Sequence, residues 1–355
     1  MYKVTLSMPI YNVAPYVERA LLSALNQTFE SIEFLLVDDR GTDNSMEIVH
    51  RIIKEHPRGK DIRIIEHPHN IGTGGTKNTA IDNAQGEYLF FMDSDDEIIP
   101  ECIHILYNKM IENSVDLVVG SYVFCDKNKN IVVSSLLPNI KIIGELSLAK
   151  YYYLDTKPFY VQTWNKMYNI SFLRNNKIYC IPSHLCEDLI FTFLVSIHST
   201  SCLLINDITY YSYLRRNSTT DQERNNFLSI STANQYKEIL YFKKKLIIDN
   251  SIEYIYSLHY YREAIRISEL CVRSNMSFSL KKKYIDSFCD FGFFEKCYSL
   301  DNTLYLKYLI RILNFSGKSS IWKVVVMYLW TYFRKLYFVC LNKKTFTSYC
   351  NSFDY

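Results

Sequence analysis

Leu89-Phe90-Phe91-Met92-Asp93-Ser94-Asp95-Asp96 is the stretch on which the reading of the fold turns. Four large apolar residues run directly into three carboxylates interrupted by one serine. An apolar run without alternation reads as a strand of an α/β sheet, buried on both faces. Ligands bind such sheets at the carboxyl ends of the strands. Asp93, Asp95 and Asp96 therefore stand where hard oxygen ligands would meet a divalent cation and its phosphates. The same residues also suit a solvated acidic turn whose carboxylates cap a helix, so the neighbouring segments have to decide.

Upstream, strand and helix patterns alternate. Residues 4–8 predict a first strand stopped by Pro9, and 15–27 a helix with Val17, Leu21, Leu22 and Leu25 on one stripe. Residues 32–37 predict a second strand ending in Asp38-Asp39, followed by a turn at 40–45 and a helix from Met46. A third strand at 62–65 leads into a glycine-rich loop at 67–75 and a helix at 76–83. This is the spacing of right-handed βαβ units. It brings Tyr11-Asn12, Asp38-Asp39, His69-Asn70 and Asp93–Asp95 to one sheet edge, which favours the metal reading.

Downstream, 98–113 reads as a helix and 115–124 as a strand, with a hairpin-like turn at 127–130 introducing antiparallel strands. Residues 189–195 read as an apolar helix and 209–216 as a tyrosine-rich strand. Beyond this, helical patterns dominate (227–248, 252–272, 281–288, 304–313, 321–341), which places a domain boundary near residue 225.

The chain has 355 residues, 48% of them hydrophobic, with only 10 Gly and 8 Pro; that allows a real core and excludes disordered and collagen-like classes. A net charge of +3 is too small to imply nucleic acid. The basic surplus lies in residues 301–355, where eight Lys/Arg stand against Asp301 and Asp354. Ten scattered cysteines without a C-x-x-C pattern read as reduced thiols of a cytosolic protein. The N-terminus shows no signal-peptide pattern, and no stretch reaches the roughly 18 uncharged apolar residues of a membrane span. The expected location is cytoplasmic.

Over residues 4 to about 220 the sequence resembles the bacterial family 2 glycosyltransferases of GT-A type fold. The pieces that carry the resemblance are Ser7-Met8-Pro9-Ile10-Tyr11-Asn12, Ser23 to Thr28, and Val37-Asp38-Asp39 with Gly41 to Ser45. They continue with Asn70-Ile71-Gly72 with Lys77-Asn78, Met92 to Asp96, Trp164-Asn165-Lys166-Met167-Tyr168, Glu187-Asp188 and Tyr213-Leu214-Arg215-Arg216. The resemblance implies a Rossmann-like, mostly parallel sheet flanked by helices; the C-terminal third has no match in it and is expected to be helical from its own pattern. Together they divide the chain into a glycosyltransferase domain, 1–225, and a helical region, 226–355; within the first, about 1–100 would serve the nucleotide-sugar and 101–225 the acceptor.

The activity implied is inverting, metal-dependent transfer of a sugar from a nucleoside-diphosphate sugar, a UDP-sugar first, to a hydroxyl of a glycan or lipid-linked acceptor in surface polysaccharide synthesis. By resemblance Asp95 is the metal ligand, for Mn²⁺ or Mg²⁺, and Asp93 holds the ribose or a metal-bound water. Asp96 caps the following helix. Pro9, Tyr11 and Asp39 form the base-recognition set. Asp188 is the general base, and Glu187 orients the acceptor. Trp164 offers a flat face to a sugar ring. Lys166 and Lys77 face the diphosphate, although Lys166 also suits an exposed loop lysine, and Lys77 stands where many relatives carry arginine and lacks the bidentate fork. Arg216 belongs to a segment closing over the diphosphate.

The aromatic and basic residues of the tail (Trp322, Lys323, Tyr328, Trp330, Arg334, Lys335) suit either the surface of an anionic bilayer or packing on the protein or a second subunit. Alternatives within the same reading are a relative that binds nucleotide-sugar without turnover and a nucleotidyltransferase. The latter usually carries a glycine-rich phosphate loop at the first strand, which residues 9–12 do not form.

Overall fold

A computed structural model describes residues 2–181, 187–214, 228–289 and 320–341. The chain divides into two compact units, Met1–Tyr152 with Thr156–Arg216, and Tyr153–Asp155 with Asn217–Tyr355.

Among the described residues, the first unit is built on one ten-stranded mixed sheet. Strands β1 (Val4–Ile10), β2 (Ile32–Asp38), β3 (Ile62–Glu66) and β4 (Tyr88–Phe91) are parallel, in the order β3-β2-β1-β4. Helices α1 (Val17–Leu25), α2 (Ser45–Glu55) and α3 (Gly72–Asn83) join them. After β4 come β5 (Glu97–Ile98), α4 (Cys102–Asn113), β6 (Leu117–Cys125), β7 (Ile131–Ser135) and β8 (Ile140–Ile143). A short α5 (Ser147–Ala149) is followed by β9 (Lys166–Asn169), α6 (Ile170–Asn175), α7 (Glu187–His198) and β10 (Ser201–Tyr213). β9 inserts between β4 and β6, antiparallel to both, and β10 runs parallel to β6.

The opening apolar run is buried on both faces because alternate residues enter different cores. Phe90 and Met92 join Leu6, Met8, Leu21 and Phe34 in one apolar layer, whereas Leu89 and Phe91 join Val37, Ile81 and Phe191 in the other. The layers draw on α1, α2 and α4 in the first case and α3, α6 and α7 in the second.

Several element boundaries differ from expectation. Pro9 does not stop β1, which continues to Ile10 in register with Asp38. The carbonyls of Lys3 and Ser7 accept from Tyr88 and Met92, so odd-numbered residues of β1 face β4. β4 pairs with β1 only as far as Ser7, so the missing N–H of Pro9 interrupts no ladder. The glycine-rich segment is not a loop: Gly72–Gly75 form the first turn of α3. Residues 97–98 are a strand paired with Tyr210 and Tyr211, and the helix starts only at Cys102, after Pro100.

The second unit contains α8 (Ile230–Asp249), α9 (Glu253–Arg273), α10 (Phe278–Phe288) and α11 (Ser320–Leu341). Buried Lys243 is held by both carboxylate oxygens of Glu263 at 2.8 and 2.9 Å. On α11, Lys323 pairs with Asp286 at 3.0 Å and Trp330 donates its indole N–H to Glu269 at 2.7 Å, so both turn toward their own bundle. Ile321, Trp322, Tyr328 and Leu329 are exposed. Among the described residues no helix is long and apolar enough to cross a membrane. The helix expected at 304–313 lies outside the described residues.

Candidate active site

The turn that follows β4 gathers Asp93, Asp95 and Asp96, with one carboxylate oxygen from each lying within 4.8 Å of the others. The Asp96 N–H closes the turn onto the Asp93 carbonyl at 3.3 Å. Neighbouring elements hold it from two sides. From α1, Arg19 donates to the Asp95 carbonyl, lies 3.6 Å from the centre of the Tyr213 ring and pairs with Glu97. From β10, the Tyr210 hydroxyl accepts the Asp93 N–H at 3.1 Å and hydrogen-bonds the Asp96 carboxylate, which also accepts the Tyr213 N–H at 2.8 Å.

Asp96 is therefore not a helix cap. It is buried, is followed by a strand, and ties the acidic turn to β10. Burial, followed by the nearby Asp95 and Asp93 carboxylates, raises its pKa well above the usual carboxylate range. Three crowded carboxylates repel one another, and a divalent cation with a preference for hard oxygen would relieve that repulsion. The donor set fits Mg²⁺ or Mn²⁺. Tyr210 and Arg19 have no signal in the sequence that marks them, the former being one of 30 tyrosines.

At the ends of β1 and β2, Tyr11 is 45% exposed and leans over a small recess shared with Asn12, Asp38, Gly41 and Asp43. The Asn12 side chain accepts the Thr42 N–H at 2.7 Å, and Asp43 accepts the Ala14 N–H at 2.9 Å, so the two loops are knitted together. Asp39 points elsewhere. Its carboxylate contacts His67 at 2.8 Å and accepts the Ile71 and Gly72 N–H groups, each at 2.9 Å. In this structure Asp39 caps the start of α3.

α7 supplies the second acidic pair. Glu187 is buried and Asp188 half-buried at its first turn. Burial, then the Glu187 carboxylate, push the Asp188 carboxyl up to about 7, with Lys77 pulling the other way. Lys77 donates to Glu187 Oε1 at 2.8 Å. Burial opposes its charge, yet Glu187, Asp93 and Asp188 outweigh burial and raise its pKa.

Two further residues of α3 seat Cys180 and Ile181. Asn78 exchanges two hydrogen bonds of 2.8 Å with the backbone of Cys180. Gly74 leaves room for the Ile181 carbonyl, which a Cβ would meet at 2.1 Å. Gly74→Ala is expected to cost about 1–3 kcal/mol through this overpacking, read as a fall in the chemical-denaturation midpoint.

Two expected sugar and phosphate contacts are corrected by the packing. Trp164 does not present a free face: it is buried, stacked on Tyr210 at 4.5 Å and 12°, with Tyr122 set edge-on at 4.8 Å. Lys166 is not a loop lysine. It lies in β9 opposite Val119, is 1% exposed, and donates to the Gln162 carbonyl. Burial lowers its pKa to about 7, although Asp188 acts to raise it. Both corrections have one cause, the insertion of β9 into the middle of the sheet. Arg216 lies outside the described residues.

With this geometry in view, residues 5–176 match the family model described as "Glycosyl transferase family 2". A Staphylococcus aureus poly(ribitol-phosphate) beta-N-acetylglucosaminyltransferase, TarP, is 31% identical over 242 residues, covering 66% of this chain and 69% of that protein. The chain belongs to glycosyltransferase family 2. A Bacillus spizizenii poly(ribitol-phosphate) beta-glucosyltransferase is 30% identical over 219 residues, covering 60% of this chain and 32% of that relative. A Haemophilus influenzae glycosyltransferase is 35% identical over 147 residues, and the chain spans 57% of its length. Among solved structures, S. aureus TarS residues 1–349 in complex with UDP-GlcNAc has a TM-score of 0.59 at 18% identity, covering 92% of this chain and 91% of that one. At that identity the likeness concerns the fold, which is the GT-A type found here.

Proposed function

We propose that this family 2 glycosyltransferase moves a sugar, with inversion, from a UDP-sugar to a hydroxyl of a surface polymer or lipid-linked acceptor, with a divalent cation at the acidic turn. The observation that carries the reading is the presence of two acidic groups at element ends in the first unit. The Asp93–Asp95–Asp96 turn follows β4, and Glu187 and Asp188 open α7. One acidic group suits a cation and the other a proton. Two relatives named for poly(ribitol-phosphate) support a polyol-phosphate or glycan acceptor.

In this reading Asp95 and Asp93 would hold Mn²⁺ or Mg²⁺, which, when bound, offsets the charge that develops on the departing diphosphate. Tyr11 stacks on the base, with Pro9 shaping the strand end beneath it. Asp39 acts by fixing the loop ahead of α3. Asp188, once ionised, takes the proton of the attacking hydroxyl, and Glu187 sits beside it at the acceptor side. Residues 1–100 then serve the donor and 101–225 the acceptor. The exposed Ile321, Trp322, Tyr328 and Leu329 support a peripheral membrane contact for the helical region.

A thermal-shift panel of UDP-, GDP- and TDP-sugars with Mn²⁺ tests the donor assignment. Ligand at one hundred times its Kd stabilises by about 2.7 kcal/mol, so UDP-sugars should raise Tm by several degrees. EDTA should abolish the shift. An equal response to all three nucleotides, or one indifferent to EDTA, would overturn the assignment.

A further inference from the structure

Lys77 and Glu187 are 110 residues apart in sequence, yet their charged groups meet at 2.8 Å, with side chains only 5% and 11% exposed. The contact is part of a larger seam. Gly74, one turn earlier on α3, allows the Ile181 carbonyl and the Glu187 Cβ to approach, the latter 3.0 Å from where a glycine Cβ would lie. Asn78, the residue after Lys77, grips the backbone of Cys180 through both its amide atoms. Three features of α3 thus engage Cys180, Ile181 and Glu187, the last of them next to the residue assigned as base.

We infer that Lys77 is a positioning residue that anchors Glu187, and through it the first turn of α7 bearing Asp188, rather than a cation that clamps the donor diphosphate. A buried ammonium committed to a carboxylate cannot turn to a phosphate without leaving that carboxylate buried and unpaired, and breaking such a pair is strongly unfavourable. Its removal also leaves Glu187 as an uncompensated negative charge beside Asp188. Among the described residues, the charged groups that bear on Asp188 are Glu187 on its own helix, Lys77 from α3, Asp93 from the turn after β4 and Lys166 from β9. The inference rests on the assignment of Asp188 as the base.

The test uses the full chain with Lys77→Met, Lys77→Arg, Glu187→Gln and the double variant Lys77→Met/Glu187→Gln. UDP affinity in Mn²⁺ is measured by calorimetry. The Asp188 carboxyl is followed by ¹³C NMR in aspartate-labelled protein, with Asp188→Asn as the assignment control. Lys77→Met is expected to move the Asp188 titration upward and Glu187→Gln to move it downward. Lys77→Arg should hold it near the parent value, and the double variant should recover stability lost in Lys77→Met. UDP affinity should stay within about threefold of the parent in Lys77→Met, a change below 1 kcal/mol.

A loss of UDP affinity of tenfold or more in Lys77→Met, with the Asp188 titration unmoved, would make Lys77 a diphosphate contact and overturn the inference. Independent effects of the two single substitutions on stability would overturn it as well. If the parent protein binds no UDP, the donor assignment fails on its own, and the NMR and stability arms still decide the role of the pair. Should Lys77→Met not fold, Glu187→Gln and Lys77→Arg carry the same comparison.

Discussion

Asp188→Asn should lower the rate of sugar transfer by about 10²–10⁴-fold, the usual contribution of a positioned general base, while Mn²⁺-dependent UDP affinity stays unchanged. Asparagine keeps the size of the side chain and its place at the start of α7 but cannot take a proton. The wild-type carboxyl is raised to about 7, chiefly by burial, so kcat should climb with pH through that value and level off above it. The variant should lose this limb.

Its stability should respond in the opposite sense. A carboxyl with a raised folded-state pKa binds more protons when folded than when unfolded, between its ordinary range and about 7. Stability therefore falls as pH rises through that window and stays reduced above it. Asp188→Asn removes the penalty and should melt higher than the parent at pH 8. A residue that costs stability while supporting activity is the pattern of a functional site. Transfer at parental rates with the pH limb intact would remove Asp188 from the mechanism.

Asp95→Ala is the second substitution with a large expected effect: Mn²⁺-dependent UDP binding should weaken by about a hundredfold or more, the loss of a direct ligand costing at least as much as the loss of an outer-shell partner. The metal-free fold should not suffer. Asp95 is one of the two carboxylates that raise the Asp96 pKa, so its removal relieves repulsion in a buried cluster. Calorimetry with UDP and Mn²⁺, beside a metal-free melt, checks both halves. UDP affinity that survives in Asp95→Ala and remains sensitive to EDTA would move the cation to other residues.

Local sequence was enough to reveal the parallel half of the sheet, since its signals lie within each segment. The run 89–92 is apolar throughout because each residue faces one of two cores, and that pattern needs no knowledge of its neighbours. Carboxylates at strand ends were likewise legible, as were the long helices at 230–249, 253–273 and 320–341.

Long-range packing decided the rest. The antiparallel insertion of β9 between β4 and β6 leaves no local trace, and it turns Lys166 and Trp164 from candidate contacts into buried groups. Asp96 stands before a helical pattern when read locally, but a strand follows it, and β10 arrives more than a hundred residues later and takes its carboxylate. Lys77 and Glu187, read within their own segments, point to the diphosphate and to the acceptor. Only the packing of Cys180, Ile181 and Glu187 against α3 makes Lys77 and Glu187 a buried pair. The division follows from the physics: hydrophobic periodicity is a property of a segment, whereas the partner that satisfies a buried polar group is set by which distant strand or helix lies beside it.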